Sequence, residues 1–228
     1  MVPSGYYRFP FLSEGKTRLE RVEPFRMDIR PVTVREYHGF LRKHPGWKRS
    51  RVKRLFADSV YLASWTSDDS PPAGSDELPV TQVSWYAAKA YCSSVGARLP
   101  STAEWERVAL EVPNGMDSAA YNSRILEWYS RPAASGAAPA DTRPARNAFG
   151  IRDMFGRVWE WTADFNASGP VDRGEGAAKN SSFFCGGAAG SAAPGTDYAT
   201  FMRYAFRSSL KPEFSLGTLG FRCAGAPR

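Results

Sequence analysis

The chain has 228 residues, a formal net charge of +7, 43% hydrophobic residues and 14% aromatic residues. This composition supplies a large core and excludes an intrinsically disordered chain. No run approaches the ~20 consecutive apolar residues that a membrane-spanning helix needs, and no recognised nucleic-acid-binding motif is present. The first residues also lack the basic and apolar regions of a signal peptide. We therefore expect a folded domain that neither spans a membrane nor binds nucleic acid.

The first predicted helix begins at a capping box. Thr33 and Glu36 have the spacing at which each side chain bonds the backbone N–H of the other. Apolar residues follow at helical spacing, and the His-Pro-Gly sequence at 44–46 ends the helix.

A strongly basic segment, residues 42–54, overlaps the end of this helix. It carries seven Lys or Arg residues and no acidic residue. Such a segment attracts acidic partners, although a solvated turn would have the same composition. The candidate partner-binding residues are Lys48, Arg49, Arg51, Lys53 and Arg54.

Two more helices are predicted before residue 111. Ser84 is placed to cap one of them, and Gly96 provides its C-terminal stop. Ser101 and Glu104 form a second capping box, which predicts a helix through Leu110.

The second half of the chain changes character. Residues 132–146 are rich in Ala, Pro and Gly and predict a loop, and a second, polar loop is predicted over Asn166–Ser182. Short strands are predicted at Arg157–Phe165, Phe183–Cys185, Met202–Arg207 and Leu219–Ala224. No repeat or domain boundary is evident, so we expect one α+β domain over residues 1–228, with helices early and irregular strands late.

Five sequence blocks occur in the order and spacing of one known family. They are LPVTQVSW (78–85) with AYC (90–92), GARLPSTAEWE (96–106), NAFGIRDMFGRVWEW (147–161), Gly186-Gly187 with the arginine-bearing segment 203–208, and LGFRC (219–223). Together they resemble the sulfatase-modifying-factor domain of the formylglycine-generating-enzyme family. The resemblance implies an irregular, loop-rich α+β fold related to C-type lectins, with few helices and short antiparallel strands. FFCGGAAGS and YATFMRYAFRSSLKP further resemble the NirV-type branch, which accompanies copper nitrite reductases.

The resemblance also implies which chemistry the chain lacks. The family's oxidase holds copper(I) with two cysteines that follow the Gly-Gly pair, but no cysteine occurs between residues 186 and 222, and Ser191 stands near the first position. The iron-dependent branch, similar to ergothioneine synthases, needs three histidines, and the chain has only His38 and His44. We expect neither activity.

The three cysteines separate into an expected pair and one remaining thiol. By resemblance to the family, Cys92 and Cys223 form a disulfide, which favours the periplasm or the cell exterior. The alternative is two reduced cysteines in a cytoplasmic protein. Cys185 is a candidate copper ligand, redox thiol or intermolecular partner, or else a small buried side chain.

A calcium site is the other metal that the resemblance implies. The family uses an Asn and a Glu in the block that here reads GRVWEW, but Arg157 replaces the Asn. Glu160 remains and is a candidate partner of Arg157. Asn147, Asp153 and Glu160 are the candidate metal ligands.

Three arginines near the C-terminus are candidates for binding an anionic group. Arg203, Arg207 and Arg222 can each form bidentate hydrogen bonds, and Tyr204 lies among them. The alternative is that they make buried ion pairs with Glu104, Glu106 or Glu160. The candidate catalytic residues are therefore Cys185, Ser191, Arg203, Tyr204 and Arg207.

Three functional hypotheses follow. The first is a maturation, accessory or binding factor without oxidase activity, linked to copper proteins or nitrite reduction and acting on another protein or a small ligand. The second is a metal-dependent oxidoreductase with an altered site that uses Cys185. The third, from fold analogy alone, is a lectin-like binding module. The sequence identifies no cofactor beyond a structural calcium ion or copper at Cys185.

Overall fold

The computed structural model describes residues 1–9, 18–130, 146–166 and 196–227. The helices in these residues are α1 (Val34–Lys43), α2 (Trp85–Ser94), α3 (Thr102–Ala109), α4 (Ser118–Ser130) and α5 (Thr196–Ser208). The strands are β1 (Gly5–Phe9), β2 (Arg18–Val22), β3 (Arg26–Met27), β4 (Trp159–Glu160), β5 (Leu219–Gly220) and β6 (Ala224–Gly225). The prediction of mixed α and β structure with few helices and short strands is confirmed.

The strands of the described residues form three separate pairs. β1 pairs with β2 and β3 pairs with β6, both antiparallel, whereas β4 and β5 are parallel. The expectation of antiparallel strands is therefore wrong for this last pair. At Gly220 in β5, a Cβ atom would lie only 2.6 Å from the carbonyl oxygen of Val80, so glycine is required for this close approach.

The capping boxes predicted from the sequence are both present. At the start of α1, the backbone N–H of Thr33 donates to Glu36 Oε2 at 2.8 Å, and Thr33 Oγ1 accepts the Glu36 N–H at 3.3 Å. At the start of α3, the backbone N–H of Ser101 donates to Glu104 Oε2 at 2.7 Å, and Ser101 Oγ accepts the Glu104 N–H at 3.1 Å. Each box satisfies free backbone donors at a helix terminus.

The second predicted helix is also confirmed. Ser84 Oγ accepts the backbone N–H of Ala87 at 3.2 Å at the start of α2. Gly96 follows the helix with a φ of +68°, a left-handed conformation that favours glycine.

Two predictions for the second half of the chain are wrong. The segment Met202–Arg207, predicted as a strand, lies within α5. Its helical form places Arg203 and Arg207 on one face, where both contact the same carboxylate. Helix α4 was not predicted, although Asp117 Oδ1 accepts the backbone N–H of Ala120 at 2.9 Å and thus caps it.

The remaining predicted strands are shorter than expected or lie outside the described residues. Only Trp159–Glu160 of the predicted segment 157–165 is extended. The segment 219–224 contains β5 and the start of β6, separated by irregular residues. The predicted strand at 183–185 lies outside the described residues, as do nearly all of the two predicted loops.

The C-terminal residues are held against the first half of the chain. A disulfide joins Cys92 in α2 to Cys223 across 131 residues of sequence. Asp28 Oδ2 accepts the backbone N–H of Cys223 at 2.9 Å, and Arg98 forms a backbone bridge with Ala224. Both cysteines lie in a core with Tyr37, Trp161 and Phe221, among others.

None of the helices in the described ranges is long and apolar enough to cross a membrane.

The disulfide gives a prediction about thiols and stability. The denatured, unreduced protein is expected to expose one free thiol, because the disulfide removes two of the three cysteines. Cys185→Ser should expose none. Cys92→Ala/Cys223→Ala should lower the free energy of unfolding by up to about 5 kcal/mol, since the closed loop restricts the unfolded chain. Thiol titration and guanidinium unfolding measure both, and three free thiols in the unreduced protein would contradict the pairing.

Candidate functional site

A buried carboxylate lies at the centre of the predicted arginine site. Glu106 in α3 is fully buried and accepts hydrogen bonds from Arg203 Nη2 at 2.6 Å, Arg203 Nε at 2.8 Å and Arg207 Nη1 at 2.7 Å. Burial alone would raise the pKa of Glu106, but the two guanidinium groups outweigh it and lower that pKa below its ordinary value. Glu106 is therefore ionised at neutral pH.

Arg203 has several partners besides Glu106. Its Nη1 donates to Tyr129 Oη at 3.1 Å, and its Nη2 donates to Thr200 Oγ1 at 2.9 Å. Tyr129 comes from α4, so this arginine connects α3, α4 and α5. Its guanidinium also lies 5.2 Å from the ring centroid of Phe155.

Tyr204, another candidate, belongs to a buried tyrosine pair. Its hydroxyl is 2.8 Å from the hydroxyl of Tyr7 in β1. Burial raises the pKa of both phenols well above the ordinary value. Tyr204 is therefore protonated at neutral pH and connects α5 to the N-terminal strand pair.

Arg222 belongs to a different ion pair. Its Nε and Nη2 donate to the carboxylate of Glu160, each at 2.8 Å, and Trp105 Nε1 donates to the same carboxylate at 2.8 Å. Glu160, considered as a partner of Arg157, is thus paired with Arg222. Arg157 instead lies 3.9 Å from Asp153.

The candidate arginines therefore do not converge on one group. Arg203 and Arg207 share Glu106, whereas Arg222 is paired with Glu160 and also donates to the carbonyl oxygens of Arg152 and Asp153. The alternative of buried ion pairs describes these contacts. Glu104, the third acid considered, pairs with Arg98 at 2.6 Å.

The candidate calcium ligands have other partners. Asn147 donates from Nδ2 to the carbonyl of Val108, and its Oδ1 accepts the backbone N–H groups of Phe149 and Ile151. Glu160 is occupied by Arg222 and Trp105. Among the described residues, no group of three or more His, Cys, Asp or Glu side chains is arranged to hold a metal ion. The calcium site stays a prediction, as does copper at Cys185, which with Ser191 lies outside the described residues.

A group of aromatic side chains next to this site was missed in the sequence. Trp159 in β4 stacks on Tyr129 with ring centroids 5.1 Å apart, and it also contacts Trp128 and Phe206. The Trp-Tyr pair at the end of α4 was the available signal, but α4 itself was not predicted. Of the four tryptophans of the resembling blocks, Trp105 and Trp161 are buried, and Trp85 and Trp159 are partly buried.

The cations at residues 48–54 fall into two groups, those that contact other residues and those that are exposed. Lys48 Nζ pairs with Asp69 at 2.7 Å, and Arg49 Nη1 donates to the carbonyl of Trp65 at 3.1 Å. Arg51, Lys53 and Arg54 are exposed, and within the described part of the chain their side chains have no hydrogen-bond or ion-pair partner. We name these three residues the basic face.

Comparison with known proteins identifies the family. The family model of the sulfatase-modifying factor enzyme 1-like domain matches residues 2–227. The chain belongs to this family. An inactive C-alpha-formylglycine-generating enzyme 2 of Bos taurus is 28% identical over 94% of this chain and 82% of its own length. A formylglycine-generating enzyme of Thermomonospora curvata is 25% identical over 99% and 92%, respectively.

Two further comparisons give a relative with a different named activity and a solved structure with a similar fold. A hercynine oxygenase of Mycolicibacterium smegmatis is 31% identical over 66% of this chain and 40% of its own length. The structure of PvdO from Pseudomonas aeruginosa has a TM-score of 0.54 at 17% identity and covers 99% of this chain and 92% of that one. The family thus contains active, inactive and differently active proteins, so membership alone gives no activity.

The Glu106 cluster gives a stability prediction. Glu106→Gln should lower the free energy of unfolding by about 3 to 5 kcal/mol, because it leaves two buried guanidiniums without their anion. Glu77→Gln removes an exposed ion pair with Arg35 and should change stability by less than about 1 kcal/mol. Urea unfolding at neutral pH measures both, and equal small losses would contradict the role of Glu106.

The same carboxylate gives a pH dependence. Because the folded-state pKa of Glu106 is lowered, its contribution is complete above its ordinary pKa and is lost as the pH falls through the folded-state pKa. Wild-type stability should therefore decline on acidification below about pH 4.5 more steeply than that of Glu106→Gln. Parallel slopes in unfolding curves recorded from pH 7 to pH 3 would rule this out.

Proposed function

We propose that this chain is a member of the family that does not generate formylglycine and that acts as an accessory or binding factor for another protein. The observation that carries the proposal is the use of its cysteines. Only three occur in the chain, and Cys92 and Cys223 are joined in the buried disulfide. A copper(I) site with two thiolates therefore cannot form from the one remaining cysteine, Cys185.

The histidine count argues equally against the iron-dependent activity. An iron site with three histidines cannot be built from His38 and His44 alone. These two also have other contacts, since the His38 ring lies against Trp65 and the His44 ring against Phe40. A relative described as inactive that covers 94% of this chain supports a role without formylglycine generation.

The basic face supports the binding role. Arg51, Lys53 and Arg54 present three positive charges to solvent, and the side chain next to them, Leu55, is 73% exposed. Cations beside an exposed apolar side chain fit an acidic protein surface with an apolar contact at its centre. We propose that this face binds the acidic partner, and that Lys48 and Arg49 chiefly hold the segment in shape.

Finer parts of the proposal concern kinship and location. The NirV-like segments favour a partner in a copper or nitrite reductase system, and the disulfide favours the periplasm or the cell exterior over the cytoplasm. A relation to C-type lectins belongs to the same proposal.

Formylglycine production is tested directly. The protein, supplied with copper(I), is incubated with a sulfatase peptide that carries the target cysteine, and mass spectrometry follows conversion of that cysteine. No conversion is expected, whereas the formylglycine-generating enzyme of Thermomonospora curvata assayed in parallel should convert it. Conversion by this chain above the enzyme-free background would falsify the proposal.

Partner binding is tested by charge reversal. The probe is the copper nitrite reductase of the source organism, and its affinity is measured by calorimetry at two salt concentrations. Arg51→Glu/Lys53→Glu/Arg54→Glu should weaken binding by tenfold or more, and added salt should weaken wild-type binding, because exposed charges are screened at about 8 to 10 Å.

A matched variant separates the basic face from net charge. Arg21→Glu/Lys89→Glu/Lys211→Glu makes the same change in charge at other exposed positions and should leave the affinity within about twofold of wild type. Equal weakening by both triple variants would show general charge attraction and contradict a specific face. No binding by the wild type would remove this partner.

A further inference from the structure

The Glu106 cluster contains more positive than negative charge. Arg203 and Arg207 contribute two positive charges, and Glu106 contributes one negative charge. Within the described part of the chain, Asp164 also faces the cluster and acts electrostatically on Tyr204. Its Oδ1 accepts the backbone N–H and the hydroxyl of Thr102 at 2.7 and 2.8 Å and forms no hydrogen bond with either arginine. Among the described residues, one positive charge therefore has no directly bonded anion.

That charge belongs to Arg207. Arg203 uses Nε, Nη1 and Nη2 as donors, whereas Arg207 donates only from Nη1, to Glu106. Within the described residues, Nε and Nη2 of Arg207 have no acceptor. These two N–H groups form the side-on edge of the guanidinium, which binds both oxygens of a carboxylate in parallel.

This edge is held in place and reaches solvent. The guanidinium of Arg207 lies 4.7 Å from the ring centroid of Trp105 and is tied to Glu106, so its orientation is fixed before any ligand binds. Its side chain is 5% exposed, whereas that of Glu106 is not exposed at all. The enclosed and unpaired polar atoms of the described residues lie elsewhere, at His38, Arg107, Arg152 and Ser215.

The surroundings favour a singly charged ligand with an apolar body. A monoanion balances the one positive charge, whereas a dianion such as phosphate would bring an excess charge into a largely buried place. Aromatic rings join the cluster through Arg203: Tyr129 accepts its hydrogen bond and stacks on Trp159, which contacts Phe206. These rings are partly exposed and offer a planar apolar surface.

We propose that Arg207 is the anchor of a binding site for a small aromatic or apolar monocarboxylate. The Nε–H and Nη2–H groups donate to the two carboxylate oxygens, and the ring of the ligand contacts the aromatic side chains beside them. This site is separate from the basic face and does not depend on the proposed protein partner.

The test uses benzoate as the probe with the full chain. Calorimetric titration at constant ionic strength should show saturable binding of one benzoate per chain. Benzamide, the neutral amide of the same shape, should bind at least about tenfold more weakly, because it loses the charge-assisted pair. Inorganic phosphate should also bind more weakly than benzoate. This comparison needs no variant and therefore stands if a substitution prevents folding.

Two variants locate the binding. Arg207→Lys keeps the positive charge beside Glu106 but removes the two-donor edge, and it should weaken benzoate binding by about tenfold or more. Arg21→Gln removes one exposed cation outside both proposed sites and should leave the benzoate affinity unchanged. Absence of saturable benzoate binding, equal binding of benzamide, or wild-type affinity in a folded Arg207→Lys protein would each overturn the proposal.

Discussion

The described structure depends most on the buried carboxylate of Glu106. It lies 97 and 101 residues before its partners Arg203 and Arg207, so it ties α3 to α5 across a large part of the sequence. Each of these charges would cost several kcal/mol to bury alone, and together they form a stable group only when both helices are in place. The hydrogen bond of Arg203 to Tyr129 extends this dependence to α4.

Local signals in the sequence were sufficient for the three helices before residue 111, but they did not identify strands β1 to β3. Thr33 with Glu36 and Ser101 with Glu104 set two helix starts because capping depends on residues three positions apart. The segment that became α5 was predicted as a strand because local apolar and aromatic character is shared by both structures. What decides its form is the distant Glu106, which requires two arginines one helical turn apart. Such long-range pairing is not visible in a local pattern.

The sequence identified most residues of the site but not which of them form ion pairs with each other. Arg203, Arg207, Glu106 and Tyr204 were all singled out. Arg222 was grouped with Arg203 and Arg207, whereas it pairs with Glu160, one of the three acids considered. Arg222 directly precedes Cys223 in the sequence. The disulfide and the backbone contacts there hold this segment where the Arg222 guanidinium meets Glu160. The unused edge of Arg207 follows from the orientation of one guanidinium, which a sequence does not encode in any short motif.

The protein combines the fold of its family with a cysteine set that leaves a single thiol outside the disulfide, and we propose that it therefore lacks the family's copper chemistry. Titration of the purified protein with copper(I) in competition with a strong copper(I) chelator, followed by sulfur-ligand analysis by X-ray absorption, tests this most directly. We expect that no copper site with two thiolate ligands from one chain forms, because the disulfide leaves one thiol per chain. One equivalent of copper(I) bound by two thiolates of a monomeric chain, with the disulfide absent, would contradict the account.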